Sequence, residues 1–133
     1  YKNILRKKKI ILCIECIPSK YGEDYLYDFN HLVRLIKKIN SSQIRINFDT
    51  SVYHFNKFDF NYFKKNQKLI KNIQVTEQNF KMFTKLSKKN IDFSKKLKRY
   101  KKFNKISLEI ISKKMNNFRL KRSISIFKKY YIN

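Results

Sequence analysis

A large excess of positive charge constrains this chain more than any other feature. Lysine and arginine number 33 against 9 aspartates and glutamates in 133 residues, which gives a formal net charge of +24. Such a body repels itself and is stabilised by a polyanion, most often nucleic acid and next an anionic membrane. Hydrophobic residues still make up 42% and aromatic residues 16% of the chain, unlike a disordered segment. We therefore expect one modest folded core with basic extensions.

The residue usage indicates an A/T-rich genome, such as that of an organelle. Lys, Asn, Ile, Phe and Tyr are abundant, Ala and Trp are absent, and Gly and Pro occur once each. From this bias we predict a mitochondrial protein located in the matrix. No apolar run approaches the roughly 18 residues of a membrane span, so no transmembrane segment is expected. Residues 1–9 form a basic lead without a clean signal-peptide pattern.

The first half of the chain shows a strand, a helix and a second strand. Residues 10–17 form a short β-branched apolar run that ends at Pro18, and apolar residues on both of its faces indicate a central strand. Apolar residues at helical spacing predict a helix over 24–40 whose apolar face is formed by Tyr25, Phe29, Leu32, Val33, Ile36 and Ile39. Alternation of apolar and polar residues then predicts a half-buried strand over 43–48.

An aromatic-rich segment, 49–68, separates this half from the next and indicates an extended loop or hairpin arm that packs on a partner. Beyond it we expect a strand over 69–75, a helix over 76–89 and a last strand over 106–111. Residues 90–105 are basic and irregular in pattern, and 112–133 form a basic extension that fits a helix only loosely.

This order predicts an α+β fold of the ferredoxin-like type, βαββαβ, with two helices on one face of a four-stranded antiparallel sheet. The domain organisation expected from it is a basic lead over 1–9, a ferredoxin-like RNA-binding domain over 10–111 with its arm at 49–68, and a basic extension over 112–133.

Residues that could carry catalysis are few. The single glycine, Gly22, excludes the glycine-rich nucleotide motifs. His31 and His54 have no Cys or Asp at a spacing that indicates a catalytic pair. We therefore expect no enzymatic activity, no cofactor and no small-molecule substrate. Cys13 and Cys16 form a CxxC pair that lacks the second ligand pair of a zinc site. Buried structural thiols are the favoured interpretation, and a metal shared with a neighbouring protein is the alternative.

The basic runs are the candidate binding residues, because lysine and arginine contact phosphates and nearby aromatic rings can stack on exposed bases. They recur near both termini and in the connections. The predicted RNA-binding residues are Lys7, Lys8, Lys9, Lys57, Lys64, Lys65, Lys95, Lys96, Lys98, Arg99, Lys101, Lys102, Arg119, Lys121 and Arg122.

The chain resembles the small-subunit ribosomal proteins of family ten, which have a ferredoxin-like core and a long projecting loop. The resemblance rests on the elements at 10–17, 24–40 and 43–48 and on Phe63-Lys-Lys-Asn-Gln67 as the returning side of the loop. It implies a structural protein in the head of a mitochondrial small ribosomal subunit. Ribosomal RNA and, through the arm at 49–68, neighbouring ribosomal proteins would then be its partners.

A second class of function stays open at this point. An accessory subunit of a mitochondrial membrane complex could use its charge against anionic lipid and its aromatic arm against protein. A nuclease or maturase needs clustered carboxylates for a metal, and Asp49 and Asp59 are ten residues apart in the predicted arm. That third class is set aside.

Overall fold

Strands and helices alternate along the chain and build one parallel sheet. The computed structural model describes residues 1–22, 24–55, 58–77, 83, 85–100, 105–110 and 116–132. All neighbouring strands in the sheet are parallel, in the order β1-β2-β3-β4. The strands are β1 Leu12–Ile14, β2 Ile44–Asp49, β3 Ile70–Val75 and β4 Ile106–Leu108.

Helices connect the strands, as parallel pairing requires. The first crossover contains the helix Phe29–Ile39, the second contains the helices Thr50–Phe55 and Phe60–Lys65, and the third contains the helix Lys88–Lys98. Two short 3₁₀ turns, Ser19–Tyr21 and Gln67–Leu69, lie in the first two crossovers, and a π-helical turn, Lys128–Ile132, ends the described chain. The helices are α1 Lys2–Lys7, α2 Phe29–Ile39, α3 Thr50–Phe55, α4 Phe60–Lys65, α5 Lys88–Lys98 and α6 Asn117–Phe127.

The ferredoxin-like prediction is wrong, because every observed strand pair is parallel. The predicted strand positions are close to the observed ones, but the predicted antiparallel pairing differs from the observed parallel pairing. The run at 10–17 forms only β1, Leu12–Ile14, and lies at the edge of the sheet rather than at its centre. Its apolar residues therefore include exposed ones, with Leu12 49% exposed.

The predicted arm over 49–68 is wrong too. Its described residues include α3 and α4, and the rings of Tyr53, Phe58, Phe60, Tyr62 and Phe63 belong to or pack against the protein's own core. Phe63 lies 4.8 Å from Phe48 and 5.8 Å from Phe93, measured between ring centroids. The aromatic side chains that indicated a binding partner thus pack inside this chain, between the second crossover and the sheet.

The core lies between the sheet and these helices. Ile46 and Phe48 of β2 and Ile73 and Val75 of β3 are at most 1% exposed. Phe29 from α2 meets Phe48 edge to face at 5.2 Å between ring centroids. A parallel sheet buried on this face needs such apolar residues, and each buried aromatic ring adds a large contact area.

Helix α2 begins later than predicted, at Phe29, because Asp28 caps it by accepting a hydrogen bond from the His31 backbone N–H at 2.6 Å. The predicted apolar face is otherwise confirmed: Phe29, Leu32, Val33 and Ile36 are buried. Tyr25, which was assigned to that face, precedes the helix and is 67% exposed.

The second half also departs from expectation. Ser87 caps α5 through the Asn90 backbone N–H, so this helix occupies part of the stretch that looked irregular. The predicted helix over 76–89 falls partly outside the described residues, at 78–82 and 84. The basic extension forms α6 and the π-helical turn, where Tyr131 is buried and its hydroxyl donates to the Asn90 side-chain oxygen at 2.9 Å.

Among the described residues, no helix has the length and apolar character needed to cross a membrane.

Candidate active site at the strand ends

Carboxylates follow the strands at one edge of the sheet. Glu15 comes directly after β1, Asp49 ends β2, Glu77 follows β3 by two residues, and Glu109 comes directly after β4. Because the strands are parallel, all four carboxyl ends meet at the same edge. Open parallel sheets and α/β barrels bind their ligands at this edge. Four of the chain's nine acidic residues therefore gather in one place despite the overall positive charge.

The face of the sheet opposite the helices is lined by polar side chains. Asn47 on β2 donates through Nδ2 to Glu15 Oε2 at 2.6 Å and to Gln74 Oε1 at 2.8 Å. Asn72 on β3 donates to Asn47 Oδ1 at 2.7 Å and to Ser107 Oγ on β4 at 3.0 Å. Side chains of a strand alternate between its two faces, so these residues share a face that Ile46 and Phe48 do not. We call Glu15, Asn47, Asn72, Gln74 and Ser107 the inner polar face.

A second group of hydrogen bonds holds the ends of β2, β3 and β4 together. The Thr76 hydroxyl lies 2.7 Å from Asp49 Oδ2 and 3.2 Å from Glu109 Oε2. Asp49, only 2% exposed, also accepts from the Ser51 backbone N–H at the start of α3. Thr50 Oγ1 accepts from the Thr76 backbone N–H and donates to the Thr76 carbonyl, both at 2.9 Å. Asp49 is thus bound to its own scaffold on both oxygens.

Glu15 has the chemistry of a proton-transfer group. Partial burial raises the pKa of its carboxyl to about 7, the Asn47 hydrogen bond opposes that rise, and the negative charges of Asp49 and Glu109 add to it. Burial also raises the pKa of the Asp49 carboxyl; hydrogen bonds from Ser51 and Thr76 oppose that rise, and the negative charge of Glu109 adds to it. A carboxyl that titrates near neutral pH can both take and return a proton.

Behind this edge lies a buried polar network around the end of β3. Glu77 is 4% exposed and accepts from the Ser87 backbone N–H at 3.0 Å and from Asn90 Nδ2 at 3.1 Å. His54 Nε2 lies 3.3 Å from the Thr76 carbonyl, and burial lowers the pKa of the His54 ring. The network ties α3 and α5 to the strand end, so it supports the site rather than opening onto it.

Those predicted RNA-binding residues that the structure describes are spread over the helical exterior. Lys64 lies over the Tyr100 ring at 4.7 Å, and Lys96 pairs with Asp92 at 2.8 Å between Nζ and Oδ2. The predicted residues fall into five groups: Lys7, Lys8 and Lys9 in and after α1; Lys64 and Lys65 at the end of α4; Lys95, Lys96, Lys98 and Arg99 along α5; Arg119, Lys121 and Arg122 in α6; and Lys57, Lys101 and Lys102 outside the described residues. As individual binding residues they stay a prediction.

The two cysteines are free thiols. Cys13 lies in β1 and is half-buried, while Cys16 lies just beyond the strand and is 2% exposed. Burial raises the pKa of both thiols, that of Cys16 to about 12, so the thiolate form that binds metal is disfavoured. Within the described ranges, no three His, Cys, Asp or Glu side chains are grouped so that they could hold a metal ion.

The sequence did carry a signal for this site. In three of the four strand segments the last apolar residue is followed directly by an acidic residue: Ile14-Glu15, Phe48-Asp49 and Leu108-Glu109. In an antiparallel sheet, neighbouring strands end at opposite edges. The ferredoxin-like prediction therefore did not bring these carboxylates together. Strands alternating with helices are typical of a parallel sheet, which gathers them.

No protein-family model and no curated protein matches this chain. Solved structures that share its fold include two sugar epimerases. The 3-keto-D-glucoside 4-epimerase from E. coli aligns with a TM-score of 0.78 at 10% identity, over 96% of this chain and 49% of its own. An L-ribulose 3-epimerase aligns with a TM-score of 0.68 at 13% identity, over 96% and 43% respectively. The chain thus spans about half the length of these epimerases.

These likenesses correct the functional predictions. The fold is the α/β arrangement of barrel-type epimerases, so the resemblance to ribosomal family ten is wrong. The same two structures contradict the other functional predictions: a structural ribosomal protein or membrane-complex accessory subunit without enzymatic activity, with ribosomal RNA and ribosomal proteins as partners and no small-molecule substrate. The mitochondrial location and the domain boundaries stay predictions.

Proposed function

We propose that this chain acts on a small sugar, in the manner of an epimerase, at the carboxyl ends of its strands. The observation that carries the proposal is the inner polar face, to which all four strand segments contribute amide, hydroxyl or carboxyl groups. The fold shared with two sugar epimerases supports it. The chain spans about half the length of those proteins, so the proposal depends on the chain's own residues.

The composition of this face suits a ligand rich in hydroxyl groups. An amide side chain can donate to and accept from a sugar hydroxyl, and a carboxylate can accept from one. The interior of an α/β barrel is normally filled by branched apolar residues, so polar side chains on the face opposite Ile46 and Phe48 call for another explanation. Binding of a polyol is such an explanation, because its hydroxyls can form hydrogen bonds with polar groups that an apolar filling would leave without partners.

The chemistry that this site supports is proton transfer next to a ketone. The name of the first neighbour places its inverted carbon, C4, beside a 3-keto group. A hydrogen on such a carbon is acidic, because the negative charge left behind spreads onto the ketone oxygen. Inversion then needs one group that removes the proton and one that returns a proton on the other side.

Glu15 and Glu109 are the residues proposed for these roles. Both carboxyls lie at the strand ends, and they are near enough for the Glu109 charge to raise the pKa of Glu15. Glu15 as a carboxylate takes the proton from the carbon, and Glu109 relays a solvent proton to the opposite side of the same carbon. Asp49 is excluded from this step, because Ser51 and Thr76 hold its carboxyl in a buried position.

Solvent deuterium incorporation tests the proposal. The full chain would be incubated in D₂O with L-ribulose and with a 3-keto-D-glucoside, and the products followed by proton NMR. We expect the epimer to appear with deuterium on the inverted carbon. The variant Glu15→Gln should abolish both signals, because the amide neither accepts nor returns that proton.

The matched control is Lys121→Gln, which changes an exposed residue of α6 to the same amide. It should leave the rate unchanged. Epimer formation that survives Glu15→Gln would contradict the assignment of Glu15. Absence of both epimer and deuterium with either sugar class would contradict the proposed function itself.

A further inference from the structure

A directed chain of hydrogen bonds runs across the inner polar face and ends on Glu15. Ser107 Oγ donates to the Ile73 carbonyl at 3.5 Å and accepts from Asn72 Nδ2. Asn72 donates its other N–H to Asn47 Oδ1, and Asn47 donates to Glu15 Oε2. The chain therefore starts at a backbone carbonyl, which can only accept, and ends at a carboxylate oxygen.

This starting point fixes the orientation of every group in the chain. Since the Ser107 hydroxyl donates to the carbonyl, its oxygen receives the Asn72 N–H. Asn72 therefore presents its NH₂ group to the Asn47 oxygen as well. Asn47 must then turn its own NH₂ toward Glu15, because the reverse orientation would set an amide oxygen against the carboxylate.

All the hydrogen-bonding groups of the Asn47 side chain are used within the protein. Its two N–H groups go to Glu15 and Gln74, and its oxygen accepts from Asn72. The 2.6 Å distance to Glu15 is short for an amide donor, as expected for a bond to a charged acceptor. Asn47 has no further N–H to offer a ligand, so its donors influence a reaction at the strand ends through Glu15.

We propose that Asn47 is the positioning residue of this site, held by Asn72 and Ser107 so that its amide orients and favours the carboxylate form of Glu15. The inference rests on the proposed function, since it assigns Glu15 its working geometry for proton transfer. The other charged groups acting on Glu15 are Asp49, at the end of β2, and Glu109, after β4. Both oppose the carboxylate, which makes the Asn47 donor the favourable contact.

The test is a carbon-13 NMR titration of the Glu15 carboxyl in the full chain, without any sugar. In Asn47→Leu, which keeps a similar volume but cannot donate, the pKa of Glu15 should rise above its starting value of about 7. Gln74→Leu is the matched control: it places the same side chain on the same face and leaves the Asn47–Glu15 bond in place. Its Glu15 titration should stay close to that of the parent.

Ser107→Ala provides a second route to the same answer if Asn47→Leu fails to fold. It removes the anchor of the chain but not the donor, so the pKa of Glu15 should rise by less than in Asn47→Leu. An unchanged Glu15 titration in either variant, or an equal rise in Gln74→Leu, would overturn the inference.

A kinetic measurement separates positioning from general damage. The acid limb of the kcat/KM profile should move to higher pH in Asn47→Leu, because the fraction of ionised Glu15 is smaller at each pH. A uniform loss of kcat without movement of the limb would contradict positioning. If the titration shifts as expected while the parent chain epimerises no sugar, the proposed function fails and the hold of Asn47 on Glu15 stands.

Discussion

The two faces of the sheet differ completely in chemistry although the same strands build both. Toward the helices, Ile46 and Phe48 of β2 and Ile73 of β3 are fully buried among aromatic rings. Toward the other side, Asn47 and Gln74 of the same strands are half-buried and hydrogen-bond to one another. Alternation along a strand allows adjacent residues to serve stability on one side and chemistry on the other.

This contrast separates the consequences of substitution. Changes on the helix side should lower the free energy of unfolding, whereas changes on the inner polar face should mainly move proton equilibria and activity. The lysine-rich helical exterior forms a third environment, in which single changes should do little. Measurements that order these effects test the comparison.

The largest effect is expected for Phe48→Ala on the helix side. Phe48 is 1% exposed and contacts the rings of Phe29, Phe63 and Phe93. Loss of the ring should lower the free energy of unfolding by about 3–5 kcal/mol, measured by urea denaturation. Phe118→Ala, the same change at a residue 73% exposed, should cost less than about 0.5 kcal/mol. Equal losses would remove the distinction between core and surface.

A smaller loss is expected for Thr76→Val at the strand ends. Thr76 is fully buried and its hydroxyl contacts Asp49, so valine leaves that carboxylate short of a donor. The free energy of unfolding should fall by about 1–3 kcal/mol in thermal or urea unfolding. Thr76→Ser keeps the hydroxyl and should recover most of the stability. A serine variant as unstable as the valine one would show that the methyl group matters instead.

The pH dependence of stability should report on Glu15. Its pKa is raised from 4.5 to about 7 in the folded chain, so the folded state binds the proton more tightly than the unfolded state. Stability should therefore fall as pH rises from about 4.5 to 7. Glu15→Gln should remove that part of the slope, about 1 kcal/mol after solvent screening of a half-exposed group. Parallel curves for parent and variant would contradict the raised pKa.

The smallest effect is expected on the exterior. Asp92 pairs with Lys96 one helical turn away, and hydrogen bonds from Lys96 and Tyr53 lower the pKa of the Asp92 carboxyl. Because the pair is exposed, Asp92→Asn should cost about 0.5 kcal/mol or less at low salt. A difference that persists in 1 M salt would show that more than a screened surface pair was lost.

Sequence patterns located the strands better than they oriented them. The alternation of residues 43–48 marked β2 to within a residue, and the apolar spacing of Phe29, Leu32, Val33 and Ile36 marked the buried face of α2. Strand direction is decided by the connections, and the second crossover was misjudged. Its helices α3 and α4 are six residues each, too short for a clear helical period among so many rings.

The site itself was hidden by that error and by the charge. Glu15 was visible as the one acidic residue in an apolar run, but nothing local shows that Asn47 and Glu109 lie near it. Those contacts span 32 positions for Asn47 and depend on parallel pairing. The excess of lysine indicated a binding surface on the helical exterior, where most of the predicted binding residues do lie. The candidate site lies instead at the carboxyl ends of the strands.

The central claim is that the ligand site is the inner polar face rather than the lysine-rich exterior. The most direct measurement is nitrogen-15 NMR of the side-chain amides of Asn47, Asn72 and Gln74 during titration with L-ribulose. The account predicts that these three signals shift together and saturate, while amide signals of α6 stay in place. Shifts confined to α6 and the other basic helices, with the three side-chain amides unmoved, would contradict it.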